Sequence, residues 1–206
     1  CSTFKWVFDY KTPGSLGNAS LTDIPADNVY SCKRVVHGEH LAFMFDHHGI
    51  FVPPPNGEHG TDFAIIQLDR KVVGRQPLKM ATTEVRNGDP LTVVGYPLAL
   101  PLKYAKGFAI DTHFGDFINT NLDIVGGNSG SPVFNAKNEV VGIAVRSFPY
   151  EDLDYHADRN CSTWLTCPVM HQGTCLPETP DQILGTHVDR IRHVQEWLAA
   201  HPLTSL

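Results

Sequence analysis

The sequence predicts an all-β protein, and three observations carry that expectation. Short runs rich in β-branched and aromatic residues recur between turn signals along the chain. The 17 glycines and 15 prolines are many for a helical protein and suit a turn-rich fold. Only one segment, near the C-terminus, has the spacing of an amphipathic helix.

Strands are expected over Phe4–Phe8, Val29–Val36, Leu41–Phe45, Phe63–Leu68, Leu91–Gly95, Gly107–Asp111, Phe117–Asn121, Ser131–Phe134 and Val140–Arg146. Each is bounded by Gly, Pro, Asn or Asp, residues that favour turns. Asn87-Gly88-Asp89-Pro90 reads as a turn, and Asn135-Ala136-Lys137-Asn138 as a hairpin connection. Pro53-Pro54-Pro55-Asn56-Gly57 fits neither a helix nor a central strand and reads as an exposed loop. This strand density points to an antiparallel barrel or sandwich. The helix is expected over Asp189–His201, where Ile191, Val194 and Leu198 share one face with Trp197 beside them. Asp189 suits its N-terminal end and Pro202 its stop. Residues 148–185, acidic, proline-containing and holding three cysteines, read as a long irregular insertion.

The 206 residues suffice for one large domain or two small ones. With 16 basic and 22 acidic residues the net charge is −6, and no basic stripe occurs. That argues against nucleic acid or an anionic membrane as the main partner. No apolar run approaches the roughly 18 residues of a membrane span, and because Cys1 opens straight into strand-like sequence no signal peptide is expected within these residues. The five cysteines are Cys1, Cys32, Cys161, Cys167 and Cys175. The last three lie within fifteen residues, and that clustering reads as disulfide stapling of a long surface segment, hence an oxidising setting, secreted or periplasmic. A zinc site is the competing reading, weakened by the lack of any CxxC pair. The odd count leaves one cysteine free or paired outside the chain.

Chemistry concentrates in Gly126-Gly127-Asn128-Ser129-Gly130-Ser131-Pro132. A nucleophilic serine needs an exposed Oγ and backbone N–H groups aimed at the developing oxyanion. Flanking glycines let the chain turn tightly and approach a carbonyl without a Cβ in the way. The N–H groups of Gly127 and Ser129 would form the hole. The hydrolase elbow G-x-S-x-G is the rival pattern, but position 131 is Ser and Pro132 leads into a strand where the elbow needs a helix.

Gly-Asn-Ser-Gly-Ser-Pro-Val-Phe, followed by Asn138-Glu139-Val140-Val141-Gly142-Ile143-Ala144, resembles the nucleophile loop and returning strand of the trypsin-like (chymotrypsin-fold) serine proteases, nearest their bacterial glutamyl endopeptidase branch. Thr61-Asp62-Phe63-Ala64-Ile65-Ile66-Gln67-Leu68 is similar to the strand that opens with the triad carboxylate, which implies that role for Asp62. Lys33 to His37 resembles the strand before the aspartate loop, and Thr186 to Leu198 the closing strand and helix. The resemblance implies two six-stranded antiparallel barrels with the active site between them and a C-terminal helix, acting on peptides or proteins without cofactor or metal. Residues 1–85 would form the first barrel, incomplete and carrying Asp62, and residues 86–206 the second.

The triad also needs a histidine, and the family's T-A-x-H-C box is absent. His37 aligns with a non-catalytic strand position, and His40, His47, His48 and His59 lack the small-residue turn that presents the base. We expect the histidine on a segment upstream of Cys1. Three alternatives stay open: recruitment of one of these histidines, a non-catalytic binding protein that keeps the fold, and a processed two-chain enzyme bridged through Cys1 or Cys32. The resemblance places Asp123, six residues before Ser129, at the floor of the primary pocket, where an acid favours Arg or Lys in the substrate. Arg146, on the strand expected to line that pocket, could neutralise it, and a solvated turn residue is the bland reading. Ile143-Ala144-Val145 stands where the glutamyl enzymes carry a pocket histidine, which disfavours glutamate specificity. His37-Gly38-Glu39-His40 and His47-His48 read as solvated loop histidines rather than metal ligands, since neither sits on a helix that would converge them. Asn18-Ala19-Ser20 and Asn160-Cys161-Ser162 match the glycosylation acceptor pattern.

Overall fold

A computed structural model describes residues 1, 3–10, 24–40, 44–45, 51–52, 61–113, 115–146, 153–158, 160–164, 169–171, 174–176 and 186–202. The chain opens with β1 (Lys5–Val7) and the long β2 (Val29–His40), followed by the short pair β3 (Met44–Phe45) and β4 (Phe51–Val52), then β5 (Asp62–Leu68). Strands β1, β2 and β5 form a three-stranded antiparallel sheet in that order. A disulfide joins Cys1 to Cys32 with their Cα atoms 5.1 Å apart, tying the chain start onto β2. These two cysteines therefore close on each other, and neither is left to bridge a second chain.

The second half holds β6 (Pro90–Gly95), β7 (Lys103–Asp111), β8 (Phe117–Thr120), β9 (Pro132–Phe134) and β10 (Val140–Arg146). Next come β11 (Leu153–His156), β12 (Cys161–Trp164), β13 (Val169–His171), β14 (Thr174–Leu176) and β15 (Thr186–Arg190), and the helix α1 (Ile191–Ala200) ends the described chain. A closed six-stranded barrel runs β10-β15-β8-β7-β6-β9. Its core follows from period-two patterning: in β6, Leu91 and Val93 are buried while Thr92 and Val94 are less so. Leu91, Val93, Ala109, Ile118, Leu122, Val133, Val141, Ala144 and Val188 pack into one cluster. Each large side chain so buried contributes roughly 1.5–3 kcal/mol.

Strands β8 and β15 are buried along their whole length, on both faces. Their polar residues must therefore find partners inside the protein. Thr120 Oγ1 and Thr186 Oγ1 lie 2.7 Å apart, and the Phe117 and His187 rings stack at 4.6 Å. The all-β expectation holds, with one closed barrel and one C-terminal helix.

Two expectations need correction. The helix begins at Ile191 rather than Asp189, because Asp189 pairs with Ile143 and Phe117 as part of β15. Its cap residue Arg190 is extended (φ −69°, ψ 134°) and makes no side-chain cap. The insertion is not wholly irregular: β11 pairs with β12 and β13 with β14 as two hairpins. Turn residues between short strands concealed them. The triproline loop, Asn18 and the side chains of Cys161, Cys167 and Cys175 lie outside the described residues.

Candidate active site

Ser129 sits on a turn that its neighbours hold on both sides. The Gly130 N–H donates to the Ala144 carbonyl (2.8 Å) and the Ala144 N–H returns to the Ser131 carbonyl (2.9 Å), stitching the turn to β10. Upstream, the Asn128 N–H donates to Val125 O (3.0 Å), Ser131 N–H to Asn128 O (2.8 Å), and Leu98 N–H to Gly126 O (2.8 Å). Gly127 (φ +93°) and Gly130 (φ +84°) occupy the left-handed region, where a side chain is strained. The amides of Asn128, Gly130 and Ser131 are thus spent on the fold. Among the described residues the N–H groups of Gly127 and Ser129 have no such partner, nor has Ser129 Oγ. Two unspent donors beside an exposed hydroxyl can bind an oxyanion.

Close packing supports this turn from below. A Cβ on Gly127 would lie 2.7 Å from Leu98 N and 2.9 Å from Tyr96 O, and one on Gly95 would lie 2.1 Å from Ser131 Oγ. Gly127→Ala is therefore expected to displace the loop, since rigid backbone cannot give way. Ser129 acylation by a fluorophosphonate should fall by about 100-fold or more, with the circular dichroism spectrum retained. An unchanged acylation rate would show that this backbone conformation is dispensable.

Asp62 opens β5 and lines the same cleft as Ser129, a space of about 320 Å³ bounded also by Trp6, Phe63, Ile143, Ala144 and Val145. The sequence distance of Asp62 from Ser129 is bridged because β5 and β10 both line this one cleft. No histidine lines this cleft among the described residues. His37 is turned elsewhere, with its Nε2 2.9 Å from Glu39 Oε1 and its ring stacked on Trp197 at 5.0 Å. The side chains of His40, His47, His48 and His59 lie outside the described residues.

The expected pocket residues separate. Ala144 lines the Ser129 cleft, while Asp123 lines another hollow, of about 210 Å³, with Gly95, Leu98, Lys103, Tyr104 and Asn128. Asp123 is exposed as a residue, yet partial desolvation in this hollow raises its carboxyl pKa. Arg146 is not its counter-ion. Burial lowers the pKa of the Arg146 guanidinium, and the carboxylates that oppose this are Asp189 and Asp62. The bulge between Ala144 and Arg146 in the pairing with β15 marks where the strand leaves regular register on that side.

Sequence reasoning missed Asp189, 2% exposed, whose Oδ2 accepts the main-chain N–H of Asp62. Burial raises its pKa to about 7; the Asp62 N–H and Arg146 oppose the rise, and the Asp62 and Asp116 carboxylates add to it. Its only signal was an acid between a strand pattern and a helix pattern, where a cap was the simpler reading.

A family profile described as the trypsin-like peptidase domain matches residues 26–143, more than half of the chain. This chain belongs to the trypsin-like peptidase domain family. A glutamyl endopeptidase from Staphylococcus epidermidis is 42% identical over 93 residues, covering 40% of this chain and 33% of that protein. The glutamyl endopeptidase of Staphylococcus aureus (strain MW2) is 37% identical over 100 residues, covering 44% and 30%. The chain thus spans about a third of the length of the curated relatives it matches. Among solved structures, Rv3671c from M. tuberculosis H37Rv, in an inactive form, aligns with 86% of this chain and 67% of its own at 12% identity and a TM-score of 0.47.

Proposed function

We propose that this chain is the catalytic body of a serine endopeptidase, acting through an acyl-enzyme on Ser129. The observation that carries the reading is the shared cleft: an unpartnered, exposed Ser129 hydroxyl on a pinned turn faces the same space as Asp62. In the reaction Ser129 Oγ attacks the scissile carbonyl carbon and gives its proton to a histidine oriented by Asp62. The carbonyl oxygen takes the negative charge against the Gly127 and Ser129 N–H groups. Collapse expels the amine, which carries away the histidine's proton, and water then frees the acyl group by the same steps in reverse roles.

The histidine, in this reading, comes from a segment upstream of Cys1 and fills the Asp62–Ser129 cleft. Support comes from the three-stranded sheet, which among the described residues is open where the second barrel is closed, with Val35 on it 55% exposed and Phe4 beside it 67% exposed. Further strands of a first barrel would cover such apolar surface. Glutamate preference does not follow from the relatives' names, because Ile143-Ala144-Val145 stands where the resemblance leads one to expect the pocket histidine. A preference for Arg or Lys draws no support from Asp123, which lines a hollow other than the Ser129 cleft. The Cys1–Cys32 disulfide favours a secreted or periplasmic setting.

The test is to treat the full-length natural protein with a biotinylated fluorophosphonate, map the adduct by peptide mass spectrometry, and sequence the protein from its N-terminus. An adduct on Ser129 and a histidine-bearing segment before Cys1 are expected. A folded full-length protein that takes no label would overturn turnover and leave a protease-fold binding protein.

A further inference from the structure

We propose that Asp189 is a positioning residue for Asp62: reaching from the last strand of the closed barrel, it accepts the Asp62 main-chain N–H and, with Arg146, holds Asp62 in place at the Ser129 cleft. The proposal rests on the reading of Asp62 as the triad carboxylate. Asp62 is the first residue of β5, and strand ends open locally more readily than strand centres. A carboxylate that must orient an imidazole cannot tolerate such fraying, since misplacement of about 1 Å can cost about 100-fold in rate. The bond from Asp189 removes that freedom by tying the end of β5 to β15, across 127 residues of sequence.

Two further contacts act in the same direction. Thr61, immediately before, donates its hydroxyl to Glu39 Oε2 at 2.6 Å, which fixes the other side of the strand entry. From α1, directly after β15, Trp197 stacks on His37 in β2 at 5.0 Å and 24°. The C-terminal segment therefore grips both β2 and β5, once by a ring and once by a carboxylate. Arg146 lies in the field of both Asp62 and Asp189, so its charge offsets the repulsion of two carboxylates brought close together. Packing also fixes where Asp189 starts: its carbonyl passes 2.3 Å from where a Cβ of Gly142 would be, so β10 and β15 approach as closely as only glycine permits.

Asp189→Leu removes the acceptor at similar volume, whereas Asp189→Asn keeps a carbonyl oxygen for the Asp62 N–H. In the full-length protein Asp189→Leu is expected to lower kcat by about 100-fold with KM changed less than about threefold, and Asp189→Asn to restore most of the loss. Hydrogen exchange, which needs no activity, should show the Asp62 amide protected in the parent and in Asp189→Asn and at least about tenfold faster in Asp189→Leu. An Asp62 amide that exchanges freely in the parent protein overturns the proposal without any variant. So does an Asp189→Leu enzyme with parental kcat, whatever its exchange. Failure of the underlying reading looks different: the parent takes no fluorophosphonate label while the Asp62 amide remains protected through Asp189.

Discussion

Ser129→Ala in the full-length protein is expected to lower kcat for peptide hydrolysis by about 10⁶-fold, to the level left by binding and oxyanion stabilisation. Asp62→Asn should cost about 10⁴-fold, because the histidine would then hold the wrong tautomer. Combining the two should be no worse than Ser129→Ala alone, since the two groups act as one unit. Initial rates with a chromogenic peptide, and the thermal melt of each variant, are the measurements. Additive losses in the double variant would mean that Asp62 acts independently of the nucleophile. An Asp62→Asn protein as active as its parent would remove Asp62 from the triad.

The second large effect lies in stability against pH and comes from two buried groups in β15. Burial, helped by the nearby Arg146 charge, pushes His187 down to about 3, so the folded protein holds it neutral. The stability this contributes is present above the unfolded value of 6.5 and is lost as pH falls toward 3. Asp189 behaves in the opposite sense. With its pKa raised from 3.8 to about 7, its contribution is complete below 3.8 and is lost as pH rises through 7. Between about pH 4 and 6.5 the two slopes oppose each other, each worth up to about 1.4 kcal/mol per pH unit.

His187→Phe should therefore uncover the Asp189 slope. Relative to the parent, stability should rise as the medium is acidified from pH 7 to pH 4, with a ring still available to stack on Phe117. Asp189→Asn should uncover the reverse, a loss on acidification from pH 6.5 toward 3. Urea midpoints at half-unit pH steps read both. Curves for the two variants that run parallel to the parent would show that neither group is buried in the folded protein in the stated charge state.

The turn at Ser129 was legible in the sequence because its conformation is local. Glycines flanking Ser129 are dictated by backbone conformation within a few residues, and the structure finds Gly127 and Gly130 at positive φ. The strands from Phe63 to Leu68 and from Val140 to Arg146 were legible for the same reason: alternation and β-branching are written into neighbouring residues. The insertion hairpins were not, since strands of three or four residues give too short a pattern to separate from turns. The pairing of Cys1 with Cys32 needed coordinates, because nothing local to either cysteine selects a partner.

Arg146 and Asp189 show where local reading ends. On β10 the arginine reads as a pocket wall, and before the helix the aspartate reads as a cap. Both readings are sound for isolated elements. Burial, of Arg146 at the end of β10 and of Asp189 on β15, changed their meaning, because a desolvated charge must find compensation wherever the fold supplies it. That compensation lies in the main-chain N–H of Asp62 and in the shared Arg146 charge, on strands far apart in sequence. By itself the sequence determined the strand-rich class, the tight turn at Ser129 and the strand that opens with Asp62, all set by neighbours along the chain. Tertiary structure alone decided that Asp62 and Ser129 share a cleft while Asp123 faces another, and that Asp189 grips β5, because desolvation and strand packing are set by residues that meet only in the folded protein.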